Sequence, residues 1–208
     1  NIKSLITFCG LYDIISISEI KGLKDEVSFS GKFKRGIDDK SNTVTKILYL
    51  LRKIQLLKKQ SFRIDIKKNI PHGTGLGGGS SNAAVLLNFF NLKMHLKLNN
   101  KEILKIANQV GFDVPICLKK KNTLLTGEKG KILRLSQKFL LNILIVYPNI
   151  VSSTKKIYKK NKKFTLLKSQ SHFNIKNNKQ LIIFLKKENN DLEKIVVKLY
   201  PKIKKVIN

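Results

Sequence analysis

Ile70-Pro71-His72-Gly73-Thr74-Gly75-Leu76-Gly77-Gly78-Gly79-Ser80-Ser81-Asn82-Ala83-Ala84 is the stretch that decides the fold, with five glycines in the seven positions from 73 to 79. Before it, Phe62, Ile64 and Ile66 alternate with polar residues, the period of a strand. After it, Ala84, Leu87 and Phe90 recur at helical spacing, and the pattern predicts a helix opening at Ser80 or Ser81. Glycines between a strand and a helix let the backbone take positive φ and come close to a ligand. The helix behind them offers unbonded amides and the positive end of its dipole. The pattern therefore reads as a cradle for phosphate. The Ser80 and Ser81 hydroxyls suit phosphate oxygens or a metal ion. A tight turn with a serine cap is the competing reading, but one or two glycines suffice for that.

Other glycine loops fit less well. Gly73, Gly75 and Gly78 satisfy GxGxxG, yet no acidic residue ends a following strand about twenty residues on, as a dinucleotide site requires. No GK[ST] follows the glycines, which excludes the P-loop. The strand lysine and the HRD and DFG triplets of protein kinases are absent.

Outward from the loop, the chain mixes strands and helices without regular βαβ alternation, which predicts an α+β fold. Strands are expected over Asp13–Ile20, Glu26–Ser30 and Asn142–Tyr147, and a hairpin over Asn122–Leu135 turns at Gly127-Glu128-Lys129-Gly130. A helix from Ser41, with Ser41 as its cap, would bury Val44, Ile47, Leu48, Leu51 and Ile54. Another runs from Lys101 to Val110 and stops at Gly111. Two more follow, over Leu181–Lys186 and Asp191–Leu199, the second ended by Pro201. A change in composition beyond Lys138 places a domain boundary between residues 137 and 138.

The chain has 208 residues, with 42 Lys and Arg against 13 Asp and Glu, a net charge of +29. Mean hydropathy of −0.15 is that of a globular protein. Such a charge attracts polyanions, but arginine occurs only at 35, 52, 63 and 134, and the lysines accompany abundant Asn and Ile. That mixture is also what AT-rich coding produces. The two cysteines, Cys9 and Cys117, make neither a CxxC pair nor a Cys/His cluster, so no zinc site or disulfide framework is indicated and a cytoplasmic location is expected. No apolar run is long enough to span a bilayer. The sole methionine is Met94, and both ends look cut.

The loop resembles that of the galactokinase, homoserine kinase, mevalonate kinase and phosphomevalonate kinase (GHMP) superfamily, whose signature is a proline, Gly-x-Gly-Leu-Gly and a run of Gly, Ser and Ala. Its Gly-Leu-Gly-Gly-Gly-Ser-Ser-Asn-Ala-Ala form is similar to the branch that phosphorylates a cytidine diphosphate conjugate of methylerythritol, in the non-mevalonate route to isoprenoids. Further along, Gly111-Phe112-Asp113-Val114-Pro115 is similar to the segment that carries that family's catalytic aspartate. Tyr147-Pro148 with Ser153-Thr154 and Tyr158, and Asn190-Asp191-Leu192-Glu193 before Tyr200-Pro201, resemble its substrate side. The resemblance implies a two-domain α+β fold, with a ribosomal protein S5 domain 2-like N-terminal domain over 1–137 and a ferredoxin-like domain over 138–208, both incomplete. It implies ATP and Mg²⁺, with ATP phosphates on Pro71, Gly73, Gly75, Leu76, Gly77, Gly78, Gly79, Ser80 and Ser81. Asp113 would be the catalytic base, Asn42 the adenine contact, and Tyr158 with Thr154 the substrate contacts.

Each role has a plainer rival. Asp113 could cap a turn before Pro115, Asn42 could cap a helix, and Tyr158 could be a half-buried helix residue. His72 reads as a bystander, and His95 and His172 as solvated. A sibling kinase acting on homoserine or mevalonate remains open, as does a basic nucleic-acid-binding protein. Against the latter, the lysines are dispersed and no nucleic-acid-binding signature is present. The partners expected are therefore ATP and a small molecule, with neither nucleic acid nor membrane. Relatives begin with a strand that bears a lysine near the active site and end with a glycine loop near the phosphates. Neither is found here, so these 208 residues are expected to be an incomplete kinase with little activity alone.

Overall fold

The structure, a computed structural model, describes residues 2–57, 59–127, 130–152, 154–161 and 175–207. His172, Ser153, Glu128 and Lys129 lie outside them. The chain forms two compact units, one of Gly10–Lys120 and one of Asn1–Cys9 with Lys121–Asn208.

The first unit holds β2 (Ile14–Ile20), β3 (Glu26–Ser30), α1 (Thr43–Lys53), β4 (Ser61–Lys67), α2 (Gly78–Lys93), α3 (Asn100–Val110) and the short α4 (Val114–Cys117). β4 is central in its sheet, antiparallel to β2 and parallel to β3. Alternation along β4 sends Phe62, Ile64 and Ile66 into a core shared with Val44, Ile47, Leu48 and Leu51 of α1 and Ala83, Ala84, Leu87 and Phe90 of α2. Phe90 is fully buried, edge-on to Phe62 at 4.9 Å between ring centres. Burying such side chains contributes about 1.5–3 kcal/mol each, and this packing presses α2 onto β4, so the loop between them is held at both ends.

The boundaries differ from expectation in informative ways. α1 is capped by Asn42, not Ser41: the Asn42 side chain accepts from the Val44 and Thr45 amides while the Thr45 hydroxyl meets the Asn42 amide in return. Asn99 and Glu102 form the same reciprocal cap on α3. Gly111 ends α3 with φ −179°, extended backbone open to any residue, so it is no left-handed cap.

In the second unit, β1 (Ile2–Ile6), β5 (Thr123–Gly127) and β6 (Lys131–Arg134) form an antiparallel sheet in the order β1-β5-β6. The hairpin therefore groups with residue 9 and below, whereas the sequence reading drew its boundary at 137/138. Beyond it come α5 (Thr154–Lys160), α6 (Asn178–Lys187), α7 (Glu193–Leu199) and α8 (Pro201–Ile207). Pro201 opens α8 rather than merely ending α7, since proline's missing N–H costs nothing in a first turn. The stretch 142–147, expected as a strand, belongs to neither of the two sheets among the described residues. Among the described residues no helix is long and apolar enough to cross a membrane.

Candidate active site

α2 begins two residues earlier than its serines suggest. Its N-cap is Gly77, in the left-handed region at φ 71°, with no side-chain cap. The first helical hydrogen bond runs from the Ser81 amide to the Gly77 carbonyl at 2.8 Å. The amides of Gly78, Gly79 and Ser80 thus stand ahead of the helical ladder, directed along the dipole. Gly73 and Gly75 share the left-handed conformation, at φ 68° and 77°.

The next two glycines are needed for room. A Cβ on Gly78 would lie 3.0 Å from Ile70 Cγ2, and one on Gly79 would lie 3.3 Å from Thr43 Oγ1. The Thr43 hydroxyl donates to the Gly79 carbonyl at 2.8 Å, tying the start of α1 to the start of α2. Between them opens a cavity of about 350 Å³, lined by Phe29, Ile37, Asn42, Lys68, Pro71 and the run from His72 to Ser80, among others. Its size is in the range of small-ligand sites.

Sequence reasoning named most of this wall. Pro71, Gly73, Gly75, Leu76, Gly77, Gly78, Gly79, Ser80 and Asn42 all face the one cavity. Ser81 sits one residue further into α2 and does not line it. Asn42 is engaged as a cap: besides the two amides it accepts from, its Nδ2 donates to the Asp38 and Asp39 carbonyls. That leaves no side-chain hydrogen-bonding capacity for a base. His72 lies on the cavity wall as well.

Asp113 occupies the N-cap position of α4, outside the cavity lining, but its carboxylate makes no capping bond. The turn-cap alternative therefore lacks its defining hydrogen bond. Partial burial, with no cation or donor among the described residues to offset it, pushes the carboxyl above the ordinary range, although the residue keeps an open face to water. Such a group is a better proton acceptor than an ordinary aspartate. Tyr158 lies on α5 of the other unit, 46% exposed. Thr154 opens the same helix; its side chain is outside the described residues.

Beneath the loop lies a cluster the sequence did not announce. The side chain of Asp13, just before β2, is fully buried, although the residue as a whole is half-buried. It accepts from the Asn69 and Ile70 amides, both at 2.8 Å, from Asn82 Nδ2 at 2.9 Å, and from the Lys68 ammonium. Burial alone would raise its carboxyl, but the hydrogen bonds from Lys68, Ile70 and Asn82 and the charge of Lys68 hold it below the usual carboxylate range. An Asp at the start of an alternating strand looks like surface in sequence; nothing local marks it.

The family model for the GHMP kinases N terminal domain matches residues 42–121. The 4-diphosphocytidyl-2-C-methyl-D-erythritol kinase of Pelagibacter ubique is 38% identical over 99% of this chain and 72% of its own length. This chain belongs to the 4-diphosphocytidyl-2-C-methyl-D-erythritol kinase family. Its similarity extends to the enzyme of that name in a Sulfurihydrogenibium species, 35% identical over 93% of this chain and 69% of that protein. A crystal structure of a 4-(cytidine 5'-diphospho)-2C-methyl-D-erythritol kinase matches 93% of this chain and 67% of its own with a TM-score of 0.62. At 21% sequence identity that likeness speaks to the fold, which is the α+β fold of the family.

Proposed function

We propose that the chain is the catalytic body of an ATP-dependent kinase that phosphorylates the 2-hydroxyl of 4-diphosphocytidyl-2-C-methyl-D-erythritol in isoprenoid precursor synthesis. The observation that carries this is the three forward amides of Gly78, Gly79 and Ser80 at the wall of a 350 Å³ cavity. A triphosphate fits that arrangement, because helix N-termini favour anions without needing a lysine. Phe29 and Ile37, further along the same wall, offer apolar surface for a base.

Phosphoryl transfer asks the protein mainly for positioning and electrostatics. In this reading the cradle holds the phosphates, and Asp113 takes the proton from the acceptor hydroxyl. Its raised carboxyl pKa suits that role, since a base works best with a pKa nearer the working pH. Tyr158 and Thr154 serve the cytidine end, with Tyr158 offering an exposed ring for stacking. Mg²⁺ bound to the nucleotide would neutralise charge on the phosphates. Ser80, on the cavity wall, is the side chain placed to reach it. A reducing cytoplasm is the compartment for this activity.

Thermal unfolding with ATP and Mg²⁺, and separately with cytidine diphosphate, tests the assignment. A ligand that binds only the folded state raises the midpoint, so both should stabilise. Stabilisation by RNA with neither nucleotide effective would favour a nucleic-acid-binding protein instead.

A further inference from the structure

The glycine loop joins the end of β4 to the start of α2. Here one carboxylate reaches both of its ends. Asp13 Oδ1 accepts the amides of Asn69 and Ile70, the last two residues before Pro71. Asp13 Oδ2 accepts from Asn82, in the second turn of α2. Between those anchors run the eleven residues 71–81 with their three left-handed glycines, a segment with much conformational freedom to lose. The same Oδ2 binds the Lys68 ammonium. Lys68 lines the cavity, yet its charge is turned away into the protein. Every acceptor position of the Asp13 carboxylate is thereby used, and the side chain has no exposed surface.

Three further contacts show that this corner is built to a tight tolerance. The Lys68 amide donates to the Ser30 carbonyl at 2.8 Å. Gly31, left-handed at φ 86°, passes so close that a Cβ there would lie 2.7 Å from the Lys68 carbonyl. Asn69 Nδ2 also donates to the Tyr12 carbonyl at 3.0 Å, beside Asp13 in the chain. The residues leading out of β4 are therefore fixed from two sides, and Asp13 extends that order across the loop to α2.

We propose that Asp13, through Asn82, is a positioning residue for the phosphate cradle: it sets the separation of the two ends of the glycine loop and so pre-orders the amides that meet the triphosphate. This rests on the kinase reading above. Preordering lowers the entropy lost on binding, and it concerns phosphate alone. Loss of the clamp should thus weaken every ligand that carries the phosphate chain and spare one that lacks it.

The test uses the 208-residue chain and its Asn82→Ala and Asp13→Asn variants. Affinities for ATP with Mg²⁺, inorganic tripolyphosphate and adenosine are measured by calorimetry, with circular dichroism to establish folding. Asn82→Ala removes the tie to α2 without leaving an unpaired buried charge, so it carries the test if Asp13→Asn fails to fold. The expected result is a loss of tenfold or more for ATP and tripolyphosphate, with adenosine within twofold of the unmutated chain. A merely structural role would lower all three together or none, and either pattern overturns the proposal. If the unmutated chain binds neither ATP nor tripolyphosphate, the kinase reading fails first and this proposal falls with it.

Discussion

Replacing Gly77 by alanine separates the two jobs a glycine can have at the head of α2. At φ 71° an L-residue pays for the left-handed backbone, about 1–2 kcal/mol. Among the described residues, its two chain neighbours aside, no atom lies within 4 Å of the added Cβ, so packing adds no further cost. The fold should therefore lose about 1–2 kcal/mol and no more, a drop in midpoint of about 2–8 °C for a chain of this size. The open space that spares the fold belongs to the cavity wall, where a methyl group stands between the forward amides and a phosphate. ATP affinity should fall by more than tenfold, or about 1.4 kcal/mol and upward. Gly111→Ala is the control: its φ is −179°, and its Cβ would make an ordinary 3.6 Å contact with Val114. It should change neither quantity appreciably. Urea unfolding monitored by circular dichroism gives the first number and calorimetric titration the second. If Gly77→Ala binds ATP within twofold of the parent chain, Gly77 is only a helix cap and the cradle is elsewhere. A stability loss above about 4 kcal/mol would instead mean that the open space is not open.

Asp113→Asn should abolish phosphoryl transfer, measured with ATP, Mg²⁺ and the cytidyl substrate, while ATP affinity stays within a few fold; turnover near that of the parent would remove Asp113 as the base. Because its carboxyl is raised on folding, the contribution of Asp113 to stability is complete below the ordinary carboxylate range and is lost as the pH rises through the raised value; the same substitution should leave the protein slightly more stable at pH 7, by thermal melts. Lys68→Met strands the buried Asp13 carboxylate and should cost about 3–5 kcal/mol, much of it recovered when Asp13→Asn is added. Asp13 has the opposite sign from Asp113: its depressed carboxyl stabilises above about pH 4, the ordinary range, and that part is lost as the pH falls through its lower folded value. Tyr158→Ala should weaken the cytidyl substrate by about 1–3 kcal/mol and leave ATP affinity alone; equal losses for both would make the ring structural.

What could be read from the chain depended on whether the signal was local. The alternation in β4, four of the five inward residues expected for α1 and the hairpin of β5 and β6 are short-range patterns and were legible; Ile54, the fifth, is exposed because the helix has already ended at Lys53. The cavity wall was legible too, because five glycines in seven positions have few plain explanations. At α1 the sequence offered both Ser41 and Asn42 as caps, and only the reciprocal bond with Thr45 decides for Asn42. The start of α2 was missed because glycine is a poor helix former, and tertiary contacts with Ile70 and Thr43 override that preference. Asp13 was invisible for a different reason. Its partners are 55 to 69 residues away, and a lone acid before a strand has no pattern.

The charge of the chain also has to be weighed against the site. A net +29 suggests that lysines recruit the nucleotide. Yet Lys68, which lines the cavity, has its side chain only 4% exposed and its ammonium committed to Asp13. A cation paired with a carboxylate attracts an anion much less than a free one, so in the kinase reading proposed above the phosphates fall to the amide dipoles of the loop. That division has a mechanical consequence. Surface lysines act over a Debye length and weaken with salt, whereas amides at a helix terminus act by contact and direction. The lysine excess can raise the rate at which an anion arrives. The order of the loop decides how long it stays, and that order runs through Asp13 and Asn82 rather than through any of the lysines that dominate the composition.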